Sequence, residues 1–202
     1  MQNTEQIKKW LNNGSINIFG KPLAGKDSQC KILAELLDGN VLGAGEIFRG
    51  SDMPESVKEC MKNGNLVPTK DFIDIVLPFL SQERLANKPL VLSSVGRWHG
   101  EEEGVIGAVK SAGHPMKVAI YLDLPDEELL NRLYATEQQK DRSDRQEDSK
   151  KTLKNRLNEF ATKTGPVLEY YQNMGLLLKV NGADTREQVT QNILDAIINF
   201  IK

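Results

Sequence analysis

Gly20-Lys21-Pro22-Leu23-Ala24-Gly25-Lys26-Asp27-Ser28 is the stretch of this chain that decides its fold. The apolar run 16–19 before it predicts a short buried strand, and the apolar spacing after it, up to Leu37, predicts a helix. A G-x-x-x-x-G-K pattern between a strand and a helix is typical of a phosphate-binding loop. Its glycines let successive backbone amides turn toward one phosphate group, and the helix adds its positive dipole end. We therefore expect this loop to hold phosphates; the alternative is an ordinary turn with an exposed lysine.

Individual positions of the loop carry its chemistry or depart from the general pattern. Lys26 supplies a mobile charge for the β- and γ-phosphates, and Ser28 offers a hydroxyl to Mg²⁺. In the general pattern the hydroxyl follows the lysine directly, whereas here Asp27 stands between them. Leu23 occupies a position where glycine would bring the backbone closest to the phosphate. Asp27 beside a triphosphate is unfavourable unless its side chain points away or caps the helix.

Length and composition limit the classes of protein to which the chain can belong. Its 202 residues suit one domain, and 39% apolar with 27% charged residues describe a globular protein. A net charge of −2 gives no general attraction to nucleic acid or to an anionic membrane. The sequence has no run of about 20 apolar residues and no signal-peptide pattern at its start. Cys30 and Cys60 lack metal-ligand spacing, so we expect buried free thiols and a reducing, cytoplasmic location.

Short apolar runs alternate with helical patterns along the whole chain. Predicted strands lie at 16–19, 41–42, 89–94, 118–124 and 176–180. The alternation predicts an α/β fold whose parallel sheet is covered by helices on both faces. In such sheets ligands bind at the carboxyl ends of the strands, where the strand order reverses. A polar stretch from Thr136 to Arg145 ends one predicted helix. A long helix is predicted from about Gln146 to Tyr171, with an interruption near Gly165-Pro166 as the alternative.

The loop resembles that of adenylate kinase and the other nucleoside-monophosphate kinases, G-x-P-G-x-G-K-G-T-Q, with Ser28 at the family's hydroxyl position. The resemblance implies a P-loop three-layer α/β/α fold with a central parallel five-stranded sheet. It also implies a helical monophosphate-binding insertion at 44–80 and a short, metal-free lid at 136–145. The implied reaction is transfer of the ATP γ-phosphoryl group to a nucleoside monophosphate, by default AMP, with Mg²⁺ as cofactor and a monomeric enzyme.

Other segments resemble the family in the same order along the chain. They are 43–49 (the S-T-G-D…R segment), 64–68 (G-x-L-V-P), 92–97 (L-D-G-F-P-R), 121–127, 145–148 (R-x-D-D) and 179–182 (K-V-D/N-G). The resemblance implies catalytic roles for Lys26, Arg97, Arg145 and Arg156. It implies ATP-binding roles for Gly20, Pro22, Leu23, Ala24, Gly25, Lys26, Asp27, Ser28, Arg132 and Gly182. It implies monophosphate-binding roles for Ala44, Gly45, Arg49, Val67, Arg97, Glu101, Arg145 and Arg156, and a metal-binding role for Ser28.

Phosphoryl transfer explains why several arginines are needed. The charge of the transferred group spreads over its oxygens, so catalysis rests on positioning and on cationic stabilisation. The planar guanidinium suits phosphate better than a lysine ammonium does. A single arginine is more often a surface residue, but five of them in matching contexts favour phosphate contacts.

Some positions depart from the family pattern. Ser93 stands where the family has an aspartate that orders the Mg²⁺ hydration shell; Asp27, Glu46 and Asp123 are the alternative carboxylates. Glu101 falls where adenylate kinases place the glutamine that reads AMP. A carboxylate only accepts hydrogen bonds, which suits guanine or cytosine better than adenine. The alternatives are therefore a kinase for another small phosphorylated acceptor, or a nucleotide-binding member with little turnover.

Overall fold

Five parallel strands form the centre of the molecule in the computed structural model, which describes residues 2–50, 53–139 and 150–202. Their order across the sheet is β2-β3-β1-β4-β5. The strands are β1 (Ser15–Gly20), β2 (Asn40–Gly43), β3 (Leu90–Ser93), β4 (Met116–Asp123) and β5 (Leu177–Asn181). Each overlaps one predicted apolar run, which confirms the predicted α/β class and the parallel five-stranded sheet.

Helices connect the strands and cover the sheet. The α-helices are α1 (Gln2–Leu11), α2 (Lys26–Leu37), α3 (Ala44–Gly50), α4 (Glu55–Lys62), α5 (Thr69–Ile75), α6 (Glu102–Ser111), α7 (Asp126–Gln139), α8 (Lys150–Glu159), α9 (Gly165–Asn173) and α10 (Arg186–Ile201). Two 3₁₀ turns, Leu77–Ser81 and Glu83–Leu85, follow α5, and a π-helical turn, Phe160–Thr164, joins α8 to α9. None of the helices in the described ranges is long and apolar enough to cross a membrane.

Alternating side chains of the strands place apolar groups on both faces of the sheet. Ile16 and Ile18 of β1 pack in the core that α1, α2 and α10 share, whereas Phe19 packs against Tyr171 of α9 on the other face. This period of two is the one expected of a strand buried on both sides. A third cluster, which includes Leu92 of β3, joins the sheet to α3–α6.

The strand order places a crevice next to the carboxyl end of β1. The chain leaves β1 to reach β2 and β3 on one side of it, and only later reaches β4 and β5 on the other side. Ile18 pairs with Ser93 of β3, and Gly20 pairs with Leu122 of β4. The phosphate-loop sequence begins at Gly20, so it lies at the switch point where α/β sheets bind ligands.

Two predicted helix boundaries differ from the observed ones. In the helical segment expected at 44–80, the last α-helix ends at Ile75 and a 3₁₀ turn follows, because Pro78 has no amide proton for an α-helical hydrogen bond. The helix α7 runs to Gln139, so the first four residues of the proposed lid are helical. The stretch 136–139 contains glutamate and glutamine without Gly or Pro, and such residues continue a helix readily. The rest of that segment, 140–145, lies outside the described residues.

The long predicted helix is interrupted just before Gly165-Pro166. The amide of Gly165 donates to the carbonyl of Phe160, five residues earlier, which defines the π-helical turn. Pro166 lacks an amide proton, so an unbroken α-helical ladder is impossible at this point. π-turns of this kind are frequent near functional sites.

Candidate active site

The loop between β1 and α2 has the backbone geometry of a tight anion-binding turn. Gly25 immediately precedes α2 with φ +84°, in the left-handed region that glycine adopts at no steric cost. Leu23 also has a positive φ, +67°. A branched side chain rarely adopts this conformation, so the loop imposes on Leu23 a backbone suited to glycine.

Three polar side chains meet at the carboxyl ends of β1 and β3. The Nζ atom of Lys26 lies 2.5 Å from Oδ1 of Asp27 and 3.3 Å from Oγ of Ser93. The hydroxyl of Ser93 donates to the same Asp27 oxygen over 2.6 Å. The Asp27 side chain therefore bends back toward the sheet edge at the end of β3, next to Lys26.

A pocket of about 190 Å³ opens beside this cluster. Residues from the first turn of α2, from α3, from the turn after α4, from the loop after β3 and from α8 line it. The lining includes Lys26, Asp27, Ala44, Gly45, Glu46, Arg49, Val67, Ser93, Arg97, Trp98, Glu101 and Arg156. Its cations therefore come from four separate segments that the fold brings together, which is the arrangement needed to hold a second anion next to the phosphate loop.

The buried Arg97 lies close enough to Arg156 to be affected by its charge. Burial, followed by the charge of Arg156, lowers the pKa of Arg97 to about 10, while the acids around it act in the opposite direction. Arg97 thus stays charged at neutral pH, although part of its hydration is lost. Two cations held close together favour an anion between them.

Glu101 is a buried carboxyl group at the wall of the pocket. Its Oε2 atom accepts hydrogen bonds from the amides of Arg97 (2.9 Å) and Trp98 (3.1 Å). Burial raises the pKa of Glu101, and the Trp98 amide, the Thr69 hydroxyl and the Arg97 amide oppose that rise. Glu101 therefore holds the loop after β3 in shape and also contributes to the pocket lining.

Arg132 lies outside the pocket, on the other side of the phosphate loop. Its Nη1 atom donates to the carbonyl of Leu23 (3.2 Å) and its Nη2 atom to that of Gly182 (2.8 Å). Glu128, one turn earlier on α7, accepts from its Nε atom at 2.9 Å. One partly exposed guanidinium thus joins the phosphate loop to the segment at Gly182.

Comparisons with known proteins agree with this geometry. The family model described as adenylate kinase matches residues 18–176. A curated adenylate kinase of Leptospira biflexa serovar Patoc is 32% identical over 184 residues, which cover 89% of this chain and 97% of the relative. The chain belongs to the adenylate kinase family. Adenylate kinases of Bacteroides fragilis (28% identical) and Thermus thermophilus (29%) each match over 91% of this chain and 96–97% of their own length.

Within this adenylate kinase fold, the structure brings most of the predicted site residues into two groups. Lys26, Asp27, Ala44, Gly45, Arg49, Val67, Arg97, Glu101 and Arg156 line the pocket. Gly20, Pro22, Leu23, Ala24, Gly25 and Ser28 belong to the loop and to the first turn of α2, and Arg132 and Gly182 contact the loop or the segment beside it. Arg145 lies outside the described residues.

The sequence reading missed residues of α8 that hold the turn after α4. The Glu159 carboxylate accepts the Leu66 amide at 2.9 Å and pairs with Lys163 at 2.6 Å. Asn155 donates to the carbonyl of Asn63 (2.8 Å) and to the side chain of Asn65 (2.6 Å). A sequence signal existed, because positions 155, 156, 159 and 163 share one helical face.

Trp98 lies in the loop after β3 and lines the pocket. The ammonium of Lys163 lies 3.8 Å from the centre of its ring, which is a cation–π contact. One face of the indole is therefore covered by the chain itself. The Nδ1 atom of His99, the next residue, lies 3.0 Å from a carboxylate oxygen of Glu102.

Proposed function

We propose that this protein transfers the γ-phosphoryl group of ATP to a nucleoside monophosphate. The observation that carries the proposal is a pocket whose lining includes Arg49, Arg97 and Arg156 together with the phosphate-loop lysine, Lys26. Such a pocket suits an acceptor that already carries a phosphate. The relatives described above are named adenylate kinases, which supports AMP as the first acceptor to test.

The chemistry follows from charge and position. Lys26 binds the β- and γ-phosphates, and Arg97 and Arg156 neutralise the acceptor phosphate and the charge on the group in transfer. Arg49 holds the acceptor phosphate, and Arg132 and Gly182 bind the adenine side of ATP. Arg145 completes the set of arginines, and the 136–145 segment closes over ATP to exclude water. The helical segment 44–80 carries the monophosphate site.

Mg²⁺ is the metal this site would use. No group of three or more His, Cys, Asp or Glu side chains suited to a metal occurs within the ranges that the structure describes. In kinases Mg²⁺ usually binds through one or two carboxylates together with the nucleotide phosphates. The Ser28 hydroxyl and the Asp27 carboxylate are hard oxygen donors at the loop, so the residues fit Mg²⁺. When bound, the ion neutralises charge on the β- and γ-phosphates.

Glu101 supports a second candidate acceptor, a guanine nucleotide. Two backbone amides already occupy its Oε2 atom, so the carboxylate presents further acceptor capacity and no donor to the pocket while it is charged. Guanine offers the N1–H and N2–H₂ donors, whereas the N1 atom of adenine is an acceptor. AMP remains compatible if the carboxyl group is protonated, which burial favours.

A panel of acceptors tests the function and ranks these candidates. ADP release from ATP and Mg²⁺ is measured with AMP, GMP, CMP, UMP and TMP for the native protein and for Glu101→Gln. We expect one monophosphate to stimulate ADP release strongly. Glu101→Gln should shift kcat/KM toward AMP by about tenfold or more, since a lost or mismatched hydrogen bond to a base costs ~1–3 kcal/mol. ADP release that no monophosphate stimulates would contradict the proposal and leave a nucleotide-binding protein without turnover.

The proposal includes a monomer located in the cytoplasm. Both cysteines are free thiols, which suits a reducing compartment. A mass near 22.6 kDa by light scattering is the expected outcome, and a dimer mass would contradict the monomer.

A further inference from the structure

The carboxylate of Asp27 and the hydroxyl of Ser93 form a unit that belongs to two separate elements. Asp27 is the second residue of α2, and Ser93 is the last residue of β3. Their hydrogen bond of 2.6 Å spans 66 positions of sequence, so the fold, and not local geometry, creates it. The result is a negative charge located at the carboxyl end of β3 although β3 itself ends in a neutral residue.

The Asp27 charge lies where it would disfavour the binding of a nucleotide without a metal ion. Asp27 pairs with Lys26, the lysine that the phosphates need, and about half of its side-chain surface is exposed. A triphosphate in the loop would compete for Lys26 and would face the Asp27 charge. The repulsion is relieved if a divalent cation binds between the carboxylate and the phosphates.

We propose that Asp27, positioned by Ser93, supplies the protein carboxylate of the Mg²⁺ site that forms when ATP binds. This inference rests on the proposed function, because it requires a nucleotide in the loop. Ser28, the next residue, contributes a hydroxyl from the same helical turn. Mg²⁺ prefers one or two carboxylates together with phosphate oxygens and retained water, and Asp27 provides the first of these. Ser93 is a positioning residue, since its hydroxyl fixes the rotamer of Asp27.

Metal affinity, measured without turnover, tests the inference. Mn²⁺ serves as the probe, and its free fraction is followed by electron paramagnetic resonance with the full chain and a non-hydrolysable ATP analogue. In Asp27→Asn we expect the Mn²⁺ affinity of the nucleotide complex to fall about 10- to 100-fold. Ser93→Ala should give a smaller loss, since the carboxylate remains but is no longer held.

Asp126 provides a matched control. Its carboxylate pairs with Lys21 of the same loop at 2.6 Å, but the contact lies away from β3. Asp126→Asn removes the same charge and frees a lysine of the same loop, so it should leave the Mn²⁺ affinity unchanged. Equal losses in both variants would indicate a general charge effect and would overturn the inference.

The sharpest test transfers the carboxylate from position 27 to position 93. Asp27→Gly should lose Mn²⁺ affinity, and the double variant Asp27→Gly, Ser93→Asp should recover most of it, because the charge returns to the same sheet edge from the other element.

If Asp27→Asn instead tightens nucleotide binding in the absence of metal and leaves Mn²⁺ affinity unchanged, Asp27 is only a competitor for Lys26. That result overturns the inference but leaves the phosphoryl-transfer proposal intact. A native chain that binds no nucleotide would overturn both.

Discussion

At the scale of single residues, Glu101 shows how burial changes what a side chain can do. Its carboxyl group is only 4% exposed, and burial raises its pKa above the ordinary value for glutamate. In the unfolded chain the group keeps that ordinary value, near 4.3. The folded state therefore binds this proton more tightly than the unfolded state does. Linkage then requires the Glu101 contribution to stability to be greatest at low pH and to be lost as the pH rises through the raised pKa.

Glu101→Gln should remove this pH dependence. Between pH 4.5 and pH 7.5 we expect the free energy of unfolding of the native protein to fall relative to that of the variant, because only the native protein must ionise a buried group. Urea unfolding at several pH values measures the difference. Glu103→Gln is the matched control, since Glu103 lies two residues later, in the first turn of α6, and is exposed. A native-minus-variant difference that is independent of pH would contradict the expectation.

Leu23 and Asp27 show what the sequence can and cannot predict at this scale. The pattern alone identifies Leu23 as a residue where glycine is expected, and its φ of +67° agrees with that. The direction of the Asp27 side chain depends on Ser93, which is distant in sequence and reaches it only through the parallel pairing of β1 and β3. Local patterns contain no information about such a contact.

At the scale of secondary-structure elements, α8 organises one side of the pocket. It carries Arg156 and also contacts the turn between α4 and α5 through Asn155 and Glu159. The π-turn that follows α8 ends next to the loop after β3, where Thr164 donates to the carbonyl of Arg97 (3.2 Å). One helix and its π-turn therefore couple an arginine to two loops that line the pocket. Helix periodicity predicted α8, but not the surface against which it packs.

Gly64 lies in that turn and packs closely against α8. It has φ +74°, and an added Cβ would lie 2.8 Å from Cγ of Arg156 and 3.0 Å from the carbonyl oxygen of Thr152. The backbone oxygen cannot move without moving α8, so Gly64→Ala should separate the two elements and displace Arg156. We expect a higher KM for the monophosphate and a free energy of unfolding lower by about 1–3 kcal/mol beyond the cost of the positive φ.

Gly175→Ala is the control variant that measures the cost of a positive φ without a steric contact. Gly175 has φ +69°, and its added Cβ would meet no atom within 4 Å. The two variants are compared by urea unfolding and by the KM of the monophosphate. If Gly64→Ala behaved like Gly175→Ala in both measurements, the contact between the turn and α8 would not exist in solution.

At the scale of the whole molecule, the parallel sheet was the most predictable feature. Each strand is an apolar run bounded by turn residues. Strands of a parallel sheet have this pattern because both of their faces are buried. The hydrogen bonds that hold neighbouring helices together could not be predicted from the sequence. Gln29 belongs to the loop motif, yet its side chain donates to the carbonyl of Arg186 (2.9 Å) and accepts from the hydroxyl of Thr190 (2.8 Å), which anchors α2 to α10. Its partners lie more than 150 positions away.

The reactivity of the Cys30 thiol measures how often the folded protein unfolds. It is fully buried on α2 beneath the phosphate loop, and burial raises the pKa of its thiol to about 12, whereas Cys60 is only half-buried. The thiolate is the reactive form, so Cys30 in the folded protein stays unreactive even at pH 9.

In Cys60→Ser we therefore expect the reaction with a disulfide reagent to proceed only through unfolding. A saturating nucleotide should slow it by the factor 1 + [L]/Kd, about 100-fold at 100 times Kd. Cys30→Ser is the control and should react at least about tenfold faster, through Cys60. Rapid labelling of Cys30 in the folded, nucleotide-bound protein would show that the layer over the sheet opens locally, without global unfolding.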